Sequence, residues 1–468
     1  MLSPVPGLCG PAKCISAPTP ENQDPDMNRL SLLSLTLLCT LKLNSASAAD
    51  DPRIQELAAR IQALETNAEQ LRAQAAQAQA DAAAAMAELQ QLRFSQRQPE
   101  PAPQPAPAAL ASSSSNAFNP AISLILNGVY SHHSLDPEGY QRSGFPLVGE
   151  GRPSEQGLKL GESEISMSSN IDDKFYGQLT LAFGSEDGDT EVGIEEAFID
   201  TTALPNGFTL RAGRFYSNIG YLNSHHRHTD GFVDRPLAYQ AFLANQYGDD
   251  GVQLRWVAPT DLYLEVGAEL MRGDNYPAGG AARQGVGVRT AFAHLGGDIG
   301  TEQSWLAGIS MLDARSVESE DGFSGDSKLY IADATWKWAP RGNFKDGGLT
   351  LRAEYFRDDR DGSLADPESG TLDLWHGRRS GAYMEGVYRI NRRWDTGYRY
   401  DRLWADDSGP LASDHDPVRH SLMLTWRNSE FSLFRLQFSQ DEPNAFDTDN
   451  AVYLQYQTSL GAHGAHKF

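Results

Sequence analysis

From Ala121 onward the chain alternates apolar and polar side chains in short runs. Phe175, Leu179, Leu181 and Phe183 share one parity. So do Trp394, Thr396, Tyr398 and Tyr400, with Asp395, Gly397, Arg399 and Asp401 interleaved. Successive side chains of a strand point to opposite faces, so each run predicts a strand with one apolar and one polar face. Sixteen such runs can be placed, from Ile122–Tyr130 to Ala451–Phe468. Long polar loops and short turns separate them in strict alternation, which leaves both ends of the sheet on one side. The longest connection is Tyr216–Asp250, and Asp313–Ser327 and Arg357–Ser380 also read as loops. The run Val192–Asp200 alternates less well, because Glu196 shares its parity with Ile194 and Phe198.

A different period precedes the strands. Ile54, Leu57, Ile61, Leu64, Ala68, Leu71, Ala75, Ala78, Ala82, Ala85, Leu89 and Leu92 are spaced in unbroken steps of three and four. Such spacing predicts an α-helical coiled coil over 50–94, a seam that one helix cannot satisfy alone. Residues 95–120 hold a Pro-rich tract and four consecutive serines, and read as a spacer. Further upstream, Arg29, the apolar run Leu30–Leu41 and Ala46-Ser47-Ala48 form a signal-peptide pattern over 27–49. Met27 is then the expected start and 1–26 a non-native extension. Residues 121–468 form the strand domain.

Composition narrows the reading. Hydrophobic residues make up 40% of the chain and the mean hydropathy is -0.46. No apolar run beyond the N-terminus reaches the ~18–20 residues of a membrane helix. The net charge of -23 argues against nucleic-acid binding, which needs a basic footprint. Cys9, Cys14 and Cys39 all lie in the segments expected to be absent from the mature chain, which leaves neither a disulfide nor a thiolate metal site.

Candidate chemistry sits mainly in the connections. Asp406, Asp407, Asp414, Asp416, Asp441, Glu442, Asp447 and Asp449 make the late loops acidic, as do Glu318, Glu320, Asp321 and Asp326 in an earlier one. Such a collar would concentrate cations, or bridge divalent ions between lipopolysaccharide molecules. Within Tyr216–Asp250, His226, His228 and Asp230 fall on one side of an extended backbone, a ligand set suited to Zn²⁺ or Ni²⁺. A divalent metal is the one cofactor this suggests. His463 and His466 would point to opposite faces of a straight strand. Asp395, Arg399 and Asp401 are candidates for a pore lining. No nucleophile elbow, Walker loop, zincin motif or dinucleotide fingerprint occurs, so no enzyme is read here.

A chain that ends in the alternating strand Ala451–Leu460 and closes on Phe468 resembles the outer-membrane β-barrel proteins of Gram-negative bacteria. The whole layout of signal, heptads, Pro-rich spacer and sixteen strands is similar to the siderophore-type and phosphate-selective porins. That resemblance implies an all-β fold, a 16-stranded antiparallel transmembrane β-barrel behind an N-terminal coiled coil. The last strand would close the barrel on the first. The resemblance also implies a homotrimer in the cell outer membrane, surrounded by lipopolysaccharide, with the coiled coil in the periplasm. The function it implies is a passive channel for small hydrophilic solutes, with cations or metal chelates as candidates. The acidic loops speak against phosphate. The alternative is a structural tether that joins the outer membrane to a periplasmic partner through the coiled coil.

Overall fold

The computed structural model describes residues 120–186, 189–280, 285–317, 319–365, 371–407, 411 and 414–461. The expected signal peptide, coiled coil and spacer, and also His463, His466 and Phe468, lie outside the described residues. The strands are β1 (Ala121–His132), β2 (Gly157–Leu160), β3 (Ser163–Asn170), β4 (Phe175–Glu186), β5 (Asp189–Thr201) and β6 (Phe208–Tyr216). Next come β7 (Gly248–Val257), β8 (Tyr263–Met271), β9 (Val288–Ile299), β10 (Gln303–Ser316), β11 (Phe323–Trp338) and β12 (Gly348–Ala365). The last five are β13 (Leu372–Asn391), β14 (Trp394–Asp407), β15 (Val418–Ser429), β16 (Ser432–Glu442) and β17 (Asp449–Gly461).

From β3 to β17 each strand pairs antiparallel with the next, and β17 returns to pair with β1. The closing register sets Leu124 opposite Leu460 and His132 opposite Val452. Both β2 and β3 pair with β1, so they are two arms of one strand broken at Gly161 and Glu162. The seventeen strands therefore occupy sixteen positions in a closed wall. Closure leaves no unpaired edge, the condition for a sheet to cross a bilayer.

The wall is inverted relative to a water-soluble sheet. Along β14, Asp395, Arg399 and Asp401 are 2%, 1% and 0% exposed, while Trp394 and Tyr398 lie open. Along β16, Phe434, Leu436 and Phe438 face out, while Arg435, Gln437 and Ser439 are buried inside. The period-two pattern therefore sorts polar side chains inward and apolar ones onto a continuous outer band. Water would not tolerate so large an apolar surface, whereas lipid solvates it. At the short-turn end of the band, Trp394, Trp426, Phe434 and Tyr456 sit on adjacent strands in ring contact. Amphipathic rings are favoured at such a membrane edge.

Two expected loops are largely strand. β10 and β11 take up all but six residues of the stretch Asp313–Ser327, and β12 and β13 climb through most of Arg357–Ser380. Their polarity reads as loop, but the charges stand in complementary cross-strand register. Asp359 lies opposite Arg378, and Asp358 opposite Arg379. The pairs close at 3.0 Å and 2.9 Å. Opposite charges across a ladder stabilise it beyond the apolar band. The acidic collar is also thinner than expected. Asp321 is buried against Arg360, Asp441 accepts from the Tyr140 hydroxyl, and Asp449 is hydrogen bonded to His133.

Candidate functional site

The connection between β6 and β7 turns inward and fills part of the barrel. Its helix, Leu237–Leu243, is buried along its whole length. Phe215, Ile219, Leu222, Tyr239 and Phe242 pack with Leu312, Ile331, Phe356 and Leu403 of the wall. This apolar core lies inside the barrel, so the apolar residues of the segment read as loop in sequence are internal packing. Gly381 lets the helix approach β13, because a Cβ there would come within 2.9 Å of Phe242.

Polar contacts pin the segment as well. Glu354 of β12 accepts from the Tyr239 and Tyr383 hydroxyls and from the backbone N–H groups of Tyr221 and Leu222. Asp234 lies 2.9 Å from Arg399 and 2.8 Å from Arg419. Burial alone would raise the Asp234 pKa, but the attraction of Arg419 and Arg399 outweighs it and holds the carboxyl at about 2. Gln437 and Arg435 of β16 bond to Val233 N–H and to the Phe232 and Asp230 carbonyls.

Below the segment is a cavity of about 1140 Å³. Its roof includes Tyr221, His228 and Asp230, and its mouth is framed by the short turns at Gly300–Glu302, Ala339–Phe344 and Ser429–Phe431. Charges of both signs line it. Arg389 and Arg427 flank Asp395 at 2.8 Å and 2.6 Å, and Arg352 pairs with Glu385. Of the residues expected to line a pore, Asp395 does face the cavity. Arg399 and Asp401 also face inward, but they are spent on holding the segment.

The histidines lie against the opposite wall. His226 Nδ1 is 3.1 Å from Glu164 and 3.3 Å from Glu195, and its Nε2 is 3.0 Å from Glu196. His228 Nδ1 is 3.0 Å from the other oxygen of Glu164. Burial disfavours the charged form of His226, yet these carboxylates outweigh it and raise its pKa well above the usual value. Asp230, grouped with the histidines on sequence parity, instead pairs with Arg235 at 3.0 Å. A turn at Arg227–Thr229 intervenes, so the extended backbone assumed for that grouping does not hold.

A wall irregularity delivers two of the carboxylates. Between β4 and β5, Thr180 faces Glu196 and Leu181 faces Ile194, so Glu195 is an extra residue in a bulge. A bulge lets consecutive side chains aim the same way. Here both Glu195 and Glu196 reach His226 from inside the wall. Glu162 lies in the break between β2 and β3, and Glu164, two residues on in β3, shares its parity. The broken alternation of Val192–Asp200 was the sequence trace of this bulge. Nothing in the spacing linked Glu162 or Glu164 to residues some sixty positions away.

No family model matches the chain. Among solved structures, it is similar to a loop-deletion form of OmpT, an outer membrane protein of Vibrio cholerae (TM-score 0.48, 11% identity, 73% of this chain and 99% of that one). It is also similar to the outer membrane channel DcaP of Acinetobacter baumannii (TM-score 0.48, 11% identity, 73% and 97%). A third is the anion-selective porin from Comamonas acidovorans (TM-score 0.48, 11% identity, 73% and 99%). In sequence, an uncharacterized protein of Aquifex aeolicus is 30% identical over 389 residues, 75% of this chain and 80% of the relative. At that identity and coverage the chain belongs to one family with the Aquifex aeolicus protein.

Proposed function

We propose that this protein is an outer-membrane porin, a non-catalytic passive channel for small hydrophilic solutes. The observation that carries the reading is the charged cavity inside a closed, lipid-facing barrel, roofed by the inserted segment. Barrels of this type keep their short turns on the periplasmic side, so the cavity opens to the periplasm. The segment packs its apolar residues against β8–β14, where Glu354 and Asp401 also hold it, while on the side of β3, β5 and β15–β17 its contacts are mainly polar. The solute path is read along that polar side, a narrow route rather than a wide bore.

Small cations are the favoured solutes. Asp298, Glu302 and Glu430 are exposed at the cavity mouth, and Glu320, Asp326, Glu442 and Asp447 at the long-loop end. Focused carboxylates raise the local cation concentration. The heptads at 54–92 support self-association, and the assembly is read as a homotrimer with its coiled coil in the periplasm. The tether reading rests on the same heptads and gains no support from the barrel. Planar-bilayer recordings of the purified protein test the proposal. Discrete steps, with a reversal potential favouring cations across a salt gradient, are expected. Folded protein that inserts without conducting would overturn it.

A further inference from the structure

We propose that Glu164, Glu195 and His226 bind a divalent transition-metal ion of the Zn²⁺ type, which staples the inserted segment to the barrel wall. The channel reading is not needed for this, and the binding test does not depend on conductance.

The donor set is the first argument. His226 Nδ1 faces carboxylates from two strands, Glu164 of β3 and Glu195 of β5, and two groups of side chains here each offer ligand atoms within 4.8 Å of one another. The groups Glu164, His226, His228 and Glu162, Glu164, Glu195 share Glu164. Metal–ligand bonds of ~2.0–2.2 Å place neighbouring ligand atoms about 3.0–3.5 Å apart. The spacings from His226 Nδ1 to Glu164 and Glu195, 3.1 Å and 3.3 Å, fall in that range. Nitrogen and oxygen donors without thiolate suit Zn²⁺.

Protonation is the second argument. Glu196 Oε2 can only accept as a carboxylate, so the His226 Nε2 facing it at 3.0 Å carries the hydrogen. A metal-binding histidine is usually oriented in this way, with its second nitrogen donating to a carboxylate. The remaining nitrogen, Nδ1, is buried and makes no hydrogen bond of good geometry. Glu195 Oε2 and Glu162 Oε1 are buried without a hydrogen-bond partner as well. A divalent ion at Nδ1 takes the place of the proton that the surrounding carboxylates favour on this ring, and it meets Glu195 Oε2 there at the position the proton would otherwise face.

Charge is the third. Glu162, Glu164, Glu195 and Glu196 crowd one corner, and Arg227 lies there 2.7 Å from Glu162. His228 lines the cavity, so a hydrated ion can reach the corner from below. The geometry and the charge together call for a divalent ion, which would join β3, β5 and the inserted segment in one centre.

The test is Zn²⁺ titration of the detergent-solubilised full chain, after chelator treatment, by calorimetry and elemental analysis. One Zn²⁺ per chain is expected. His226→Gln and Glu195→Gln should each weaken binding by at least ~10-fold, while His376→Ala, at an exposed position far from the cluster, should leave it unchanged. Absence of stoichiometric Zn²⁺, or equal affinity in His226→Gln, would overturn the proposal. Should a variant fail to fold, X-ray absorption of the Zn²⁺-loaded wild type decides. A first shell with imidazole and oxygen donors supports the site, and one with oxygen alone excludes it.

Discussion

The backbone N–H of Leu237 donates to Asp401 Oδ1 at 3.0 Å, so the helix inside the barrel takes its N-terminal acceptor from strand β14. Its own preceding residue, Pro236, caps nothing with its side chain. Asp401 is also held by Arg399 at 2.9 Å, which in turn bonds to Asp234 of the segment. Wall and segment therefore share one buried ionic network. Asp401→Ala removes the cap and leaves Arg399 short of a partner, at a cost of about 1–3 kcal/mol to segment docking. The barrel itself should stay closed, because the backbone ladder is untouched. Faster hydrogen exchange at Leu237 and larger single-channel conductance are the expected readouts. Unchanged exchange would show that the helix is held by its apolar face alone.

Acid should loosen the same network in a defined window. The Asp234 pKa is lowered from 3.8 to about 2 in the folded state. A depressed folded pKa contributes stability that is fully present above the unfolded value. That contribution is lost as pH falls through the folded value. The contribution of Asp234 to segment docking should therefore be constant from neutral pH down to about pH 4 and be lost between about pH 4 and pH 2. The shift corresponds to about 2 kcal/mol. Protease protection of the segment followed against pH checks this. In Asp234→Asn, protection should be lower at neutral pH and should lack that step. A variant that keeps the full step would place its origin on another carboxyl.

Gly381 offers a way to remove the segment without touching any charge. A Cβ at this position would come 2.6 Å from Leu403 Cδ2 and 3.2 Å from Ala238 Cβ. Gly381→Val forces helix and strand apart, an overpacking cost of about 1–3 kcal/mol. Because Val favours strands, β13 should tolerate it and the helix should yield. Raised conductance with unchanged β content is the expected result. Reduced conductance would mean that the segment is pressed further into the solute path.

The wall was legible in the chain because its period-two pattern is imposed by two solvents. Lipid outside demands Leu422, Leu436 and Tyr456, and the polar interior admits Arg399, Gln437 and Gln455. Strand ends were less legible. Asp358, Asp359, Arg378 and Arg379 look like loop residues until their register is known, since their stability lies in partners across the ladder. The site was half legible. His226 and His228 stood out by type, but Glu164 meets them only because the β6–β7 connection folds inward. Asp230 shares their parity yet turns away to Arg235, because the backbone bends between them. The inward folding of the segment follows from Phe242 and Leu243, apolar residues that have no lipid to face and find a core inside.

The orientation of the whole wall can be tested at one residue pair. Leu422 is 56% exposed near the middle of β15, opposite Tyr398 and Phe438 on the outer face. Its neighbour Ser421 is buried inside, hydrogen bonded to Ser439 at 2.9 Å. In water, replacing an exposed Leu with Arg would be neutral or would improve solubility. In a bilayer, Leu422→Arg should cost ~2–4 kcal/mol, the penalty for Arg on a lipid face near the midplane. Ser421→Ala should cost only about 1 kcal/mol, the net worth of one hydrogen bond. Reversible folding into lipid vesicles under a denaturant gradient measures both. A neutral Leu422→Arg in that assay would mean that this face does not meet lipid, and the transmembrane reading of the barrel would fall with it.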